Sequence, residues 1–165
     1  MPKKLILMVG IPGAGKSTLA ERVKAKGYAC LNADSIRLEL YGNEIEQGDK
    51  DEVFAIFFER LDKLLATGDS IVIDNTNINE RQRKPIIDRA RAAGYEDIQL
   101  WLVDTPLDVC QERNKSRARI VPQQVVAGLH GELTRNGRPK RHEGKIVVIR
   151  PDPQDPKGYL FFPQN

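Results

Sequence analysis

Residues 10–18, Gly10-Ile11-Pro12-Gly13-Ala14-Gly15-Lys16-Ser17-Thr18, satisfy the pattern G-x-x-x-x-G-K-[ST]. Glycines at this spacing let the backbone curl closely around phosphate oxygens with its N–H groups turned inward. The helical pattern that follows would add its positive end. A lysine in this place reaches the β- and γ-phosphates of a nucleoside triphosphate, and the serine hydroxyl completes the coordination shell of a divalent metal. Gly10, Gly13, Ala14, Gly15, Lys16, Ser17 and Thr18 are therefore the expected nucleotide-binding residues, with Ser17 the expected metal ligand.

A phosphoryl donor needs an acceptor, and further polar residues follow other apolar runs. In "LNADSIRLEL", Asp34 is either the cap of a helix or a carboxylate that accepts the proton of an attacking hydroxyl. Arg37 lies three residues on and shares its helix face. It is either an exposed arginine or a grip on an acceptor phosphate. After "SIVID", Asp74 is placed to hold a metal-bound water or to orient Ser17. Asn75, Thr76, Asn77 and Asn79 are turn formers or site residues. Arg113, Lys115, Arg117 and Arg119 precede Pro122 and read as a solvated loop or as a closing lid whose arginine spans the transferring phosphoryl group. His130 and His142 are solitary. Neither a G-x-S-x-G elbow nor a CxxC pair occurs, and Cys30 and Cys110 fit buried, reduced thiols.

These residues must be held by regular elements. Five short apolar runs, residues 4–9, 28–32, 70–74, 98–104 and 145–150, are continuous rather than alternating, as in strands covered on both faces. Helical patterns lie near 16–26, 34–41, 50–67, 79–93, 106–114 and 122–134. In the third of these, Val53, Ile56, Phe57, Leu61, Leu64 and Leu65 form a core stripe. The alternation predicts an α/β fold with a parallel five-stranded sheet and helices on both faces. Ligands in such folds sit at the carboxyl ends of the strands.

The 165 residues, 40% hydrophobic and 30% charged, suit a single domain over 1–165. No apolar run approaches the length of a membrane span, so a cytoplasmic protein without membrane contact is expected. The net charge of +3 is small, but residues 81–91, 113–119 and 135–145 are basic and 39–52 acidic. Basic blocks on one face would favour a polyanionic partner. The tail, with Leu160, Phe161 and Phe162, packs either on the core or on a neighbouring subunit. The oligomeric state is left open, a homo-oligomer being one expectation.

In order along the chain, "GIPGAGKST", "NADSIR", "DNTNINERQR" and "ERNKSRARIVP" resemble the kinase domain of bacteriophage-type polynucleotide 5′-kinases, over about residues 3 to 135. The resemblance implies a P-loop kinase fold with a small helical lid at about 114–135. It further implies transfer of the γ-phosphate of ATP, with Mg²⁺, to the 5′-hydroxyl end of DNA or RNA. By the same resemblance Asp34 is the general base and Lys16 a catalytic phosphate contact. Arg37, Thr76 and Asn77 fall at the acceptor, and Arg113 and Arg117 at the donor phosphates, with Arg117 the catalytic lid arginine. The chain departs from the family pattern in carrying Asn75 directly before Thr76, with the acid one residue earlier at Asp74. It also carries no D-x-D-G-T phosphatase signature, which leaves phosphorylation as the expected chemistry. Two other readings share the phosphate loop: a small-molecule kinase acting on a nucleoside, nucleotide or sugar acid, and a non-catalytic ATP-dependent switch, which would need no base at Asp34.

Overall fold

Lys4–Val9 is apolar from its second residue onward because it is covered from both sides, and it forms the central strand β1. A computed structural model describes residues 3–42, 50–116 and 121–164 of the chain. The chain continues through α1 (Lys16–Lys24), β2 (Ala29–Leu31), α2 (Ala33–Tyr41), α3 (Lys50–Thr67), β3 (Ile71–Ile73), α4 (Glu80–Ala92), β4 (Asp97–Val103), α5 (Leu107–Lys115) and α6 (Gln123–Glu132). A π-helical turn at Leu133–Gly137 and a 3₁₀ turn at Arg141–Glu143 lead into β5 (Lys145–Pro151) and β6 (Tyr159–Pro163).

The sheet order is β2-β3-β1-β4-β5-β6. The five expected strands are all present and parallel, in a register that sets Leu5 beside Ile71 on one side and Ile98 on the other. The expectation of five strands is corrected by a sixth. The tail doubles back, and β6 pairs antiparallel with β5, Phe161 lying opposite Ile149. Its alternating contacts explain the aromatic cluster in part: Phe161 meets Trp101 edge-on at 5.5 Å, and Arg150 stacks over Phe162 at 5.6 Å.

Period-two alternation divides the core between the two faces of the sheet. Leu5, Leu7, Ile71, Ile73 and Leu100 pack against Val53, Phe57, Leu61 and Leu65 of α3 and against Ile86 and Ile87 of α4. Ile6, Met8 and Val72 face Leu19, Ala20 and Val23 of α1, Cys110 of α5 and Val126 of α6. The α3 stripe is therefore core, as its spacing predicts.

A buried ion pair ties the far side together. Arg83 on α4 and Glu143 are both buried, with Nε to Oε1 at 2.7 Å. Arg83 Nη1 also donates to the carbonyls of Asn77 and Gly137, at 2.8 and 2.7 Å. Close approach demands the glycine, because a Cβ at Gly137 would overlap the Ile78 carbonyl. One arginine of the block 81–91 is thus a structural clamp and not part of a solvated basic face.

Candidate active site

The chain leaves β1 toward β2 and β3 on one side and later toward β4 and β5 on the other. The crevice at the carboxyl end of β1 is therefore the switch point where such sheets bind ligands. The glycine loop fills it. Gly13 and Gly15 adopt left-handed backbone at φ 88° and 109°. A Cβ on Gly13 would lie 2.5 Å from the Cys110 carbonyl, and one on Gly15 would run into the Tyr159 hydroxyl. α1 begins at Lys16 with no side chain capping it among the described residues, and its first residues, Lys16, Ser17 and Thr18, line the cleft.

Other elements brace this loop from behind. Thr105 Oγ1 donates to the Ala14 carbonyl at 2.7 Å, and Asn114 Nδ2 to the Pro12 carbonyl at 3.0 Å. Arg113 Nη1 donates to the carbonyls of Gly13 and Ala14, each at 3.2 Å. Gly10 and Ala14 are buried, and their N–H groups serve the carbonyls of Thr76 and Ile11. These residues hold the loop's shape, whereas Gly13, Gly15, Lys16, Ser17 and Thr18 line the cleft. Burial pushes the Cys110 thiol up to about 11, with Arg113 and Lys16 opposing that rise, so it is an inert packing group under α5.

Lys16 Nζ donates to the Ile11 carbonyl at 3.2 Å, which keeps the ammonium over the loop. Ser17 Oγ donates to Asp74 Oδ2 at 3.0 Å. Hard oxygen donors of this kind, one hydroxyl and one carboxylate beside a phosphate loop, fit Mg²⁺, which takes one or two protein oxygens and fills its other positions with phosphate and water. The shift of the acid from position 75 to 74 thus leaves it in contact with the serine.

Asp34, on α2, lines the same cleft as this pair. Asn32 is the cap of that helix, its Oδ1 accepting from the Ser35 N–H at 2.7 Å. The capping alternative for Asp34 is thereby removed, and Asp34 occupies the second helical position with its carboxylate toward Arg37, Oδ1 to Nη1 at 2.7 Å. Asn75 Oδ1 accepts the Ala33 N–H at 2.9 Å, pinning the start of α2 to the loop after β3. Arg37 is nearly buried, its side chain 13% exposed, and its Nε has no hydrogen-bond partner among the described residues. A buried guanidinium N–H without an acceptor is uncommon in folded proteins.

One cleft of about 1200 Å³ brings Lys16, Ser17, Asp34, Arg37, Asp74 and Thr76 together. Asn77 also borders it, but its side chain is 2% exposed and donates to the Met8 carbonyl at 2.8 Å, holding a residue with φ 48° in a tight turn. The expected lid arginine Arg117, with Arg119, lies outside the described residues. So does half of the acidic block, from 43 to 49. Among the described residues the basic blocks are divided between two cavities: Arg81 and Arg113 border the main cleft, whereas Arg138 and Arg141, with Arg150 of β5, line a separate cavity of about 670 Å³. Lys157 and Tyr159 from the tail and Phe54 from α3 also line the main cleft, and the sequence reading missed all of them. Only Phe54 left a signal, an apolar residue one position off the core stripe.

A glycine loop between the central strand and the first helix, a Ser–Asp pair and a facing acid–arginine pair define a P-loop kinase fold. The chain belongs to the AAA domain family of the AAA_33 type, whose model matches residues 5–136. Among curated relatives, a protein of Autographa californica nuclear polyhedrosis virus, provisionally named a bifunctional polynucleotide kinase/RNA ligase, is 27% identical over 134 residues. That match covers 73% of this chain but only 19% of the viral protein. Of solved structures, the Pnkp1/Rnl/Hen1 RNA repair complex contains a chain that superposes with a TM-score of 0.71 at 22% identity, over 81% of this chain and 44% of that one. A gluconokinase from Sinorhizobium meliloti 1021 superposes with a TM-score of 0.59 at 17% identity, over 90% and 82%. Among the described residues no helix is long and apolar enough to cross a membrane.

Proposed function

We propose that this chain transfers the γ-phosphate of ATP to the 5′-hydroxyl end of DNA or RNA. The observation that carries the reading is the Asp34–Arg37 pair, which shares one cleft with the phosphate loop and whose buried arginine Nε has no partner among the described residues. Asp34 accepts the proton of the 5′-hydroxyl as its oxygen bonds to the γ-phosphorus. The bond from that phosphorus to the β–γ bridging oxygen breaks, and ADP leaves. Arg37 takes the phosphate on the 3′ side of the terminal nucleotide, and Thr76 contacts the same acceptor. Lys16 and the N–H groups of Gly13 and Gly15 hold the donor phosphates. Ser17, oriented by Asp74, would hold Mg²⁺, which when bound neutralises charge on the β- and γ-oxygens. Arg113 serves the donor side by keeping the loop in shape.

The viral relative's name supports a polynucleotide acceptor, and the acid–arginine pair offers such an acceptor a base and a phosphate grip. The likeness to a gluconokinase supports a second reading, phosphorylation of a small sugar acid. Supplying γ-labelled ATP with a 5′-hydroxyl oligonucleotide, and in parallel with nucleosides and gluconate, separates the two. Label on the oligonucleotide is the expected result; label confined to small acceptors overturns it. A chain that binds ATP and labels nothing would be the non-catalytic switch.

A further inference from the structure

We infer that Phe54 is the platform on which the acceptor's terminal nucleobase stacks, an inference that rests on the polynucleotide reading above. Burial along α3 follows Val53, Phe57, Leu61 and Leu65, and Phe54 falls outside that stripe. A helix built only for its core would place a polar side chain there. Instead a phenyl ring stands 37% exposed, and it borders the cleft that holds Asp34 and Arg37. Its orientation is set from behind, since it meets Phe57 edge-on at 5.9 Å, and Phe57 in turn meets Phe58 at 5.2 Å. The neighbouring Phe58 already has a cationic partner, with the Arg89 guanidinium 4.5 Å from its centroid. Pro85 and Ile86 of α4 add apolar wall to the same cleft.

The acceptor side therefore combines a guanidinium N–H without a partner among the described residues, which asks for an anion, with an accessible aromatic ring, which asks for a flat π-surface. A sugar acid supplies only the first. A nucleotide with a phosphate on its 3′ side supplies both, and stacking on a protein aromatic is tolerant of base identity because every base has a π-face.

The test compares two 5′-hydroxyl oligonucleotides that differ only at the 5′-terminal residue, one bearing a base and one abasic. Loss of a stacked base costs roughly 5- to 150-fold, so the unaltered protein is expected to favour the base-bearing end by at least about fivefold in kcat/KM. In Phe54→Ala that ratio collapses toward one, and in Phe54→Trp it is kept or raised. Phe54→Leu preserves apolar bulk without the ring, and it is expected to lower the ratio even if the alanine variant folds poorly. Equal use of the two ends by the unaltered protein, or a ratio that Phe54→Ala does not change, overturns the stacking role alone. Label reaching neither oligonucleotide overturns it together with the polynucleotide reading.

Discussion

Replacing Arg83 by methionine tests whether the buried clamp is what holds the loop after β3 in place. The substitution keeps apolar bulk on α4 but removes the guanidinium, which leaves the Glu143 carboxylate buried and takes a donor from the carbonyls of Asn77 and Gly137. Removing one partner of a buried ion pair costs about 3–5 kcal/mol, because the other charge stays behind without compensation. Some of the loss is recoverable if the segment after Gly137 loosens and admits water, so about 4 kcal/mol is the expected net effect. For a chain of this size each kcal/mol moves the melting midpoint by roughly 2–4 °C, which gives a fall of about 10 °C. The double variant Arg83→Met/Glu143→Leu removes the stranded charge as well, though it leaves the Lys140 N–H without the Glu143 Oε2 it donates to at 2.7 Å. It is expected to be more stable than Arg83→Met alone. Calorimetry or urea titration of the set gives the coupling. A single variant within about 1 kcal/mol of the parent, or a double variant no more stable than Arg83→Met, would refute the clamp.

Three further substitutions or treatments probe the site itself. Asp34→Asn keeps the size of the side chain but cannot take a proton; transfer of label should fall about 10²- to 10⁴-fold while ATP affinity is largely retained, and near-parental turnover would remove Asp34 as the base. Gly13→Ala forces a side chain into left-handed backbone against the Cys110 carbonyl 2.5 Å away, and should cost at least about 1–3 kcal/mol together with nucleotide affinity; a melting curve and an ATP titration matching the parent would contradict the close approach. With its thiol near 11, Cys110 carries about one thiolate per thousand molecules at pH 8 and should resist alkylation until the chain unfolds. Cys30 is also raised, by burial first and the Asp74 charge second, so it too should react slowly, and rapid labelling of either thiol in the folded protein would count against these placements.

Five strands and six helices could be read from apolar runs and helical spacing because each element is covered in the way that its pattern reports. β6 escaped because a half-exposed edge strand has no such pattern, and Leu160, Phe161 and Phe162 look the same whether they meet a sheet or a subunit. Lys16, Ser17, Asp34, Arg37 and Thr76 line one cleft because each lies in the loop or helix that leaves the carboxyl end of a parallel strand. The buried role of Arg83 was not legible in the sequence, since a charge is buried only by virtue of a partner 60 residues away. Asn77 illustrates the converse: a polar residue in a promising place is spent on its own turn, because the positive φ needed there suits asparagine.

The two asparagines flanking the site account for where the charges of Asp34 and Asp74 are directed. A helix start leaves several N–H groups without partners, and an aspartate nearby would ordinarily be drawn into serving them. Here Asn32 takes the Ser35 N–H and Asn75 takes the Ala33 N–H. Both duties fall to uncharged amides, so the carboxylate of Asp34 stays on the Arg37 side and that of Asp74 on the Ser17 side. Had the acid stood at position 75, the side chain now bonded to the Ala33 N–H would be a carboxylate, and its charge would be spent at the start of α2 rather than beside Ser17. Exchanging the pair, Asp74→Asn/Asn75→Asp, should therefore loosen the start of α2 less than it weakens the Ser17 contact. The division of labour between amide and acid is what lets one short loop serve both the helix and the phosphate side of the cleft.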